Sequence, residues 1–138
     1  MIEYLKRKID KFLFDWKANP DRKPLIIKGA RQVGKTKSIE TFAEQNYESI
    51  VEINFAEDPV YKQIVENGYS AEAVIKNISR INPEARFIKD KTLIFFDEIQ
   101  EFPDIATSLK FFSLDGNYDV ICSGSLLGVH YKEISNIS

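Results

Sequence analysis

Residues Gly29-Ala30-Arg31-Gln32-Val33-Gly34-Lys35-Thr36 set two glycines five positions apart and follow the second with a lysine and a threonine. That order, G-x-x-x-x-G-K-[ST], is the pattern of a phosphate-binding loop. The phosphates of a nucleotide crowd several negative charges together and need donors converging on one point. A tight turn that opens a helix supplies them, because its backbone N–H groups aim inward and the helix dipole stands behind them. Gly29 and Gly34 are expected to provide torsions and close approaches that a Cβ would block. Lys35 is expected to reach the β- and γ-phosphates, and the Thr36 hydroxyl to ligate Mg²⁺. The whole run, Gly29, Ala30, Arg31, Gln32, Val33, Gly34, Lys35 and Thr36, is thus the expected ATP-binding loop.

Such a loop needs a strand before it and a helix after it. Pro24 is followed by Leu25-Ile26-Ile27-Lys28, a short apolar run of the kind that forms a buried parallel strand. Val33, Ile39, Phe42, Ala43 and Tyr47 recur mainly at three and four residues, the spacing of an amphipathic helix.

A second chemical feature is Leu93-Ile94-Phe95-Phe96-Asp97-Glu98. Four apolar residues make a buried strand, and two carboxylates emerge where it ends. That is the end at which open α/β sheets place their ligands. Asp97 resembles the Walker B aspartate that holds Mg²⁺. Glu98 points elsewhere and is suited to polarise an attacking water as general base. The alternative is an inert, solvated acid pair at a strand end. A third feature is Ser123-Gly124-Ser125, which closes the strand Asp119-Val120-Ile121-Cys122. Ser123 or Ser125 would reach the γ-phosphate or the attacking water if this strand lies beside the first one. The competing reading is a plain turn, which favours the same residue types.

The elements that must position these groups alternate along the chain. Residues 3 to 16 read as a helix with Leu5, Ile9, Phe12, Leu13 and Trp16 on one face. Its other side carries Lys6, Arg7, Lys8 and Lys11, a solvated face or else a contact for a partner or an acidic surface. Asn19-Pro20-Asp21 breaks it. Ser49 to Phe55 is the second strand. Asp58-Pro59 starts a short helix with Val60, Ile64 and Val65 inward, closed by Asn67-Gly68. Ser70 is the expected cap of a helix carrying Ala71, Val74, Ile75 and Ile78, which Asn82-Pro83 ends. Thr92 opens the third strand, Pro103 a helix through Ile105, Leu109 and Phe112, and Asp115-Gly116-Asn117 the turn before the fourth strand. Strands alternating with helices imply an α/β fold with a parallel sheet. No internal repeat or low-complexity tract interrupts it.

Composition sets outer limits. Nineteen basic and twenty-one acidic residues leave a net charge of −2, so no basic excess points to nucleic acid. Cys122 is the one cysteine, which excludes an internal disulfide. Neither a signal peptide nor a membrane span is legible, and the expected location is the cytoplasm. His130 is the one histidine and cannot build a metal site alone. Cys122 reads as a buried thiol and Trp16 as core.

Together GARQVGKT, LIFFDEIQ and ICSGSLLG, in this order and at these spacings, resemble the AAA-type ATPase domain of a large bacterial and archaeal family. Its members commonly carry a C-terminal nuclease-like domain of unknown function. The resemblance covers roughly residues 20 to 130. It implies a P-loop NTPase three-layer sandwich of the additional-strand, catalytic-glutamate type, with sheet order 5-1-4-3-2. It also implies Lys35, Thr36, Asp97, Glu98 and a polar residue of the fourth strand, Ser123, as the ATP machinery. The expected organisation is an N-terminal amphipathic helix over residues 1–19 and an ATPase core over 20–138. Two departures stand out. No fifth strand is legible, so the core is expected to be C-terminally incomplete. Arg80 and Arg86, the only arginines after the loop, read as solvated rather than as an arginine finger.

The expected function is therefore Mg²⁺-dependent ATP binding and hydrolysis, with Glu98 directing water onto the γ-phosphate. The alternative is a switch or remnant that binds ATP without turning it over. A small-molecule kinase is disfavoured by the adjacent Asp97-Glu98 and the lack of an arginine-rich lid. An uncovered first strand, Leu25 to Ile27, would make the sheet edge a place for self-association or a partner protein.

Overall fold

The computed structural model describes residues 2–29 and 34–125. In chain order these form α1 (Ile2–Ala18), β1 (Leu25–Gly29), α2 (Lys35–Asn46), β2 (Ser49–Asn54), α3 (Ala71–Ile81), β3 (Thr92–Asp97), α4 (Ile105–Asp115) and β4 (Asp119–Ser125). Short 3-10 helices at Pro59–Gln63 and Ile99–Glu101 lie between them. The strands are parallel in the order β1-β4-β3-β2. The fourth strand thus lies between the first and the third, as expected. Residues 126–138, in which no fifth strand is legible from the sequence, lie outside the described residues.

Side-chain parity builds the three layers. Leu93 and Phe95 of β3, Leu25 of β1 and Ile121 of β4 pack with Leu13 of α1 and Ile39, Phe42 and Ala43 of α2. Ile94, Phe96, Ile26, Val120 and Cys122, one residue along in each strand, pack on the other face with Val74 and Ile78 of α3 and Leu109 and Phe112 of α4. Both faces of β3 are covered and all six of its residues are buried, which is why it reads as an unbroken apolar run. Local signals act where expected. The Ser70 hydroxyl accepts from the Ala73 N–H at 3.1 Å and starts α3, a cap that contributes about 1 kcal/mol.

Three expectations are corrected. Phe12 is 50% exposed rather than inward. Ile9, Leu13 and Trp16 form the contact stripe of α1, and Phe12, a hundred degrees from Leu13, falls beside it. Val60 is 46% exposed, because a 3-10 turn stacks residues three apart and puts Tyr61 and Ile64 on the core side instead. Finally, Ser123-Gly124-Ser125 is no turn: β4 continues through Ser125, with Ser123 and Ser125 buried.

One polar cluster ties the α1–α2 layer to the sheet. Asp119 Oδ2, at the start of β4, accepts from Arg22 Nε at 3.0 Å and from the Tyr47 hydroxyl at 2.6 Å. Lys17 Nζ stands 3.6 Å from the same oxygen. Arg22 also donates to the carbonyls of Lys17 and Asn19, so the end of α1 is gathered into the cluster. Burial, then the hydrogen bond to Asp119, pushes the Tyr47 hydroxyl well above its usual range, which keeps it a donor. Replacing Asp119 by alanine removes a charged acceptor from three partners, and a loss of about 2–3 kcal/mol is expected in urea unfolding. Tyr47→Phe, which removes one hydroxyl, is expected to cost about 1 kcal/mol. Unchanged midpoints in both would mean that α1 is held by apolar packing alone.

Candidate active site

The site lies at the C-terminal ends of β1, β3 and β4, where α2 begins. Gly34 precedes α2 with φ 95, in the left-handed region that glycine enters at no steric cost. Its carbonyl accepts from the Ser38 N–H at 2.8 Å. Gly29 closes β1 without a positive φ, and a Cβ there would meet no described atom within 4 Å. Ala30, Arg31, Gln32 and Val33 lie outside the described residues.

Lys35 and Thr36 form the first turn of α2 and face the strand ends. Lys35 is 8% exposed and donates from Nζ to the Gly124 carbonyl on β4 at 3.0 Å. Thr36 Oγ1 donates to Asp97 Oδ2 at 3.0 Å. Parity explains the meeting. Asp97 follows Leu93 and Phe95 at intervals of two, so its side chain leaves β3 on the side of α2. Its other oxygen, Oδ1, accepts from the Glu98 N–H at 2.8 Å. Burial raises the Asp97 carboxyl above its usual range, while the Thr36 and Glu98 hydrogen bonds and the Lys35 charge pull it back.

Glu98 turns away from Asp97 because its backbone is left-handed, with φ 56 and ψ 47. Its side chain accepts from Gln100 Nε2. Gln100 Oε1 in turn accepts from the Ser125 N–H at 2.9 Å, closing a link to β4. Ser123, on the same face of β4 as Ile121, is fully buried, and its hydroxyl has no hydrogen-bond partner in the described structure. The Ser38 hydroxyl on α2 is in the same state. Of the expected site residues, the structure brings Lys35, Thr36, Asp97 and Glu98 to the strand ends, with Ser123 on the adjoining strand.

Arg80 and Arg86 are exposed and belong to other parts of the surface; Arg80 donates to Asn77 Oδ1 at 3.0 Å. Burial pushes the Cys122 thiol far up, so it stays protonated and inert. His130 lies outside the described residues.

Two features escaped the sequence reading. One is Gln100. The other is a pair of acids behind the site, Glu40 on α2 and Glu52 on β2. Glu52 is an exposed residue, yet its carboxyl is pushed up to about 8. Partial burial is the first cause, followed by the hydrogen bond to Glu40 and the charge of Glu40, with Asp97 and Glu57 adding to it. The signal available was parity alone: Glu52 alternates with Val51 and Ile53, which face the opposite layer.

A family model described as an AAA domain matches residues 21–137. No curated protein matches the chain. Among solved structures, the chain is similar to that titled "Structure of C. elegans PCH-2", with a TM-score of 0.48 and 16% sequence identity. The match covers 95% of this chain and 37% of that one.

The Glu40–Glu52 pair yields a pH dependence. With its carboxyl raised from 4.5 to about 8, folded Glu52 keeps a proton that the unfolded chain has released over that interval. Stability must therefore fall as pH rises through the same window. Glu52→Gln carries no titrating proton, so its melting temperature should match wild type near pH 4.5 and exceed it at pH 8. Parallel curves for the two proteins across this range would remove Glu52 as the source.

Proposed function

The chain belongs to the AAA domain family, and from that premise we propose that it binds ATP with Mg²⁺ and hydrolyses ATP to ADP and phosphate. The observation that carries this reading is the 3.0 Å hydrogen bond between Thr36 and Asp97, which joins two motifs 61 positions apart. The packing of α2 on β3 brings this threonine and the strand-end aspartate together, and both offer hard oxygens, the ligand type that Mg²⁺ takes while retaining several waters. The buried Asp97 carboxylate also needs a positive partner to remain charged. Thr36 and Asp97 are thus the residues that would hold the ion. When bound, Mg²⁺ neutralises charge on the β- and γ-phosphate oxygens.

The remaining groups divide the chemistry. Gly29 to Thr36 would surround the phosphates, with backbone N–H groups at the start of α2 directed toward them. Lys35, little solvated, would place its charge against the β- and γ-phosphates, where low dielectric strengthens the attraction. Glu98 would accept a proton from the attacking water as the water oxygen bonds to the γ-phosphorus and the bond to the bridging oxygen breaks. That proton then passes to the released phosphate, and the base is restored. Ser123 would donate its unpaired hydroxyl to a γ-phosphate oxygen or to the water.

Lys35→Ala is expected to weaken ATP binding about tenfold or more, since a charge-assisted hydrogen bond contributes roughly 1.5–3 kcal/mol. Titration with a fluorescent ATP analogue reads this, and equal affinities would place the nucleotide elsewhere. Glu98→Gln should bind ATP as wild type does and release little phosphate. Asp97→Asn should lose most of the Mg²⁺-dependent part of the affinity. Phosphate release by Glu98→Gln at the wild-type rate would overturn the general-base assignment.

A further inference from the structure

Gln100 stands two residues beyond Glu98, in the 3-10 turn Ile99–Glu101. Its side-chain amide has opposite poles, and each is engaged. Nε2 donates to Glu98 Oε1, and Oε1 accepts from the Ser125 backbone N–H at 2.9 Å. The orientation is dictated by the partners. A backbone N–H is only a donor, and an ionised carboxylate is only an acceptor. A flipped amide would face donor with donor and acceptor with acceptor. Among ordinary side chains of this length, glutamine alone satisfies both ends; glutamate has no donor for Glu98, and leucine has neither pole.

The residue at the far end of this link matters as much as the near one. Ser125 is the last residue of β4. The two residues before it are Gly124, whose carbonyl accepts from Lys35, and Ser123, with its buried unpaired hydroxyl. Gln100 therefore joins the carboxylate to the strand end that carries two other groups of the site. Gln100 adds a tether where the left-handed backbone of Glu98 leaves the β3 ladder and starts a short turn. A carboxylate on a turn has several rotamers, and a general base must be held in the one that meets its proton.

We propose that Gln100 is a positioning residue for hydrolysis: it fixes the Glu98 carboxylate against the end of β4, so that the base and the strand's phosphate-side groups move together. This rests on the reading of Glu98 as the base. A residue in this role changes the rate of the chemical step more than nucleotide affinity, because its hydrogen bonds go to Glu98 and Ser125 and not, among the described residues, to Lys35, Thr36 or Asp97.

The test uses the full chain with wild type, Glu98→Gln, Gln100→Leu and Gln100→Glu. Phosphate release, affinity for a fluorescent ATP analogue, and hydrogen exchange of the Ser125 amide are measured for each. Gln100→Leu should lower kcat at least tenfold, keep ATP affinity within about twofold of wild type, and lose protection at Ser125. Gln100→Glu should keep that protection, since its carboxylate still accepts from the N–H, yet lose kcat for want of a donor to Glu98. Wild-type kcat in both variants, or a matched fall of kcat and affinity, would overturn the positioning role. So would unchanged Ser125 protection in Gln100→Leu, a result that needs no turnover to read. If Glu98→Gln itself releases phosphate like wild type, it is the general-base reading that has failed, and the tether with it.

Discussion

In β3 every second side chain passes to the α1–α2 layer, and Asp97 is the third to do so after Leu93 and Phe95. The two apolar residues lie under α2, and the third reaches Thr36. The same alternation in β4 sends Ile121 into that layer and sets Ser123 on the same side. A shift of one residue in either strand would turn these groups toward α3 and α4. Register is secured by burial on both faces: Ile94 and Phe96 on one side and Leu93 and Phe95 on the other are all fully buried. The apolar core thus determines where the polar groups stand, although none of its members touches the chemistry.

The polar groups are balanced rather than merely collected. Lys35 is nearly buried, and its ammonium is met by the Gly124 carbonyl and by the field of Asp97. Asp97 is met by a hydroxyl and by the N–H of its neighbour. Behind them partial burial, then the hydrogen bond to Glu40 and its charge, raise the Glu52 carboxyl.

Much of this was legible because the Gly29-to-Thr36 pattern and the Asp97-Glu98 pair are local, and because apolar runs mark buried strands. Ser70, Ala71, Val74 and Ile78 announce α3 in the same way, through a cap and a period. What escaped depends on distant pairing. Gln100 matters through Ser125, and Arg22 through Asp119; neither partner is visible in the one-dimensional order. Ser123-Gly124-Ser125 read equally as a turn, since its residue types favour turns, and tertiary pairing with Lys28 and Gly29 on β1 kept it in the strand. Phe12 was misplaced because a helical period defines a broad face, while α1 makes contact by a narrower stripe.

Glu98 occupies a backbone conformation that costs a non-glycine residue about 1–2 kcal/mol. Glycine or asparagine would relax there. The position is consequently one where selection for thermal robustness and selection for the role proposed for Glu98 pull apart: a laboratory lineage screened only for heat resistance would gain by discarding the carboxylate. Retaining glutamate at that bend is a standing tax on folding, levied by whatever task the site performs.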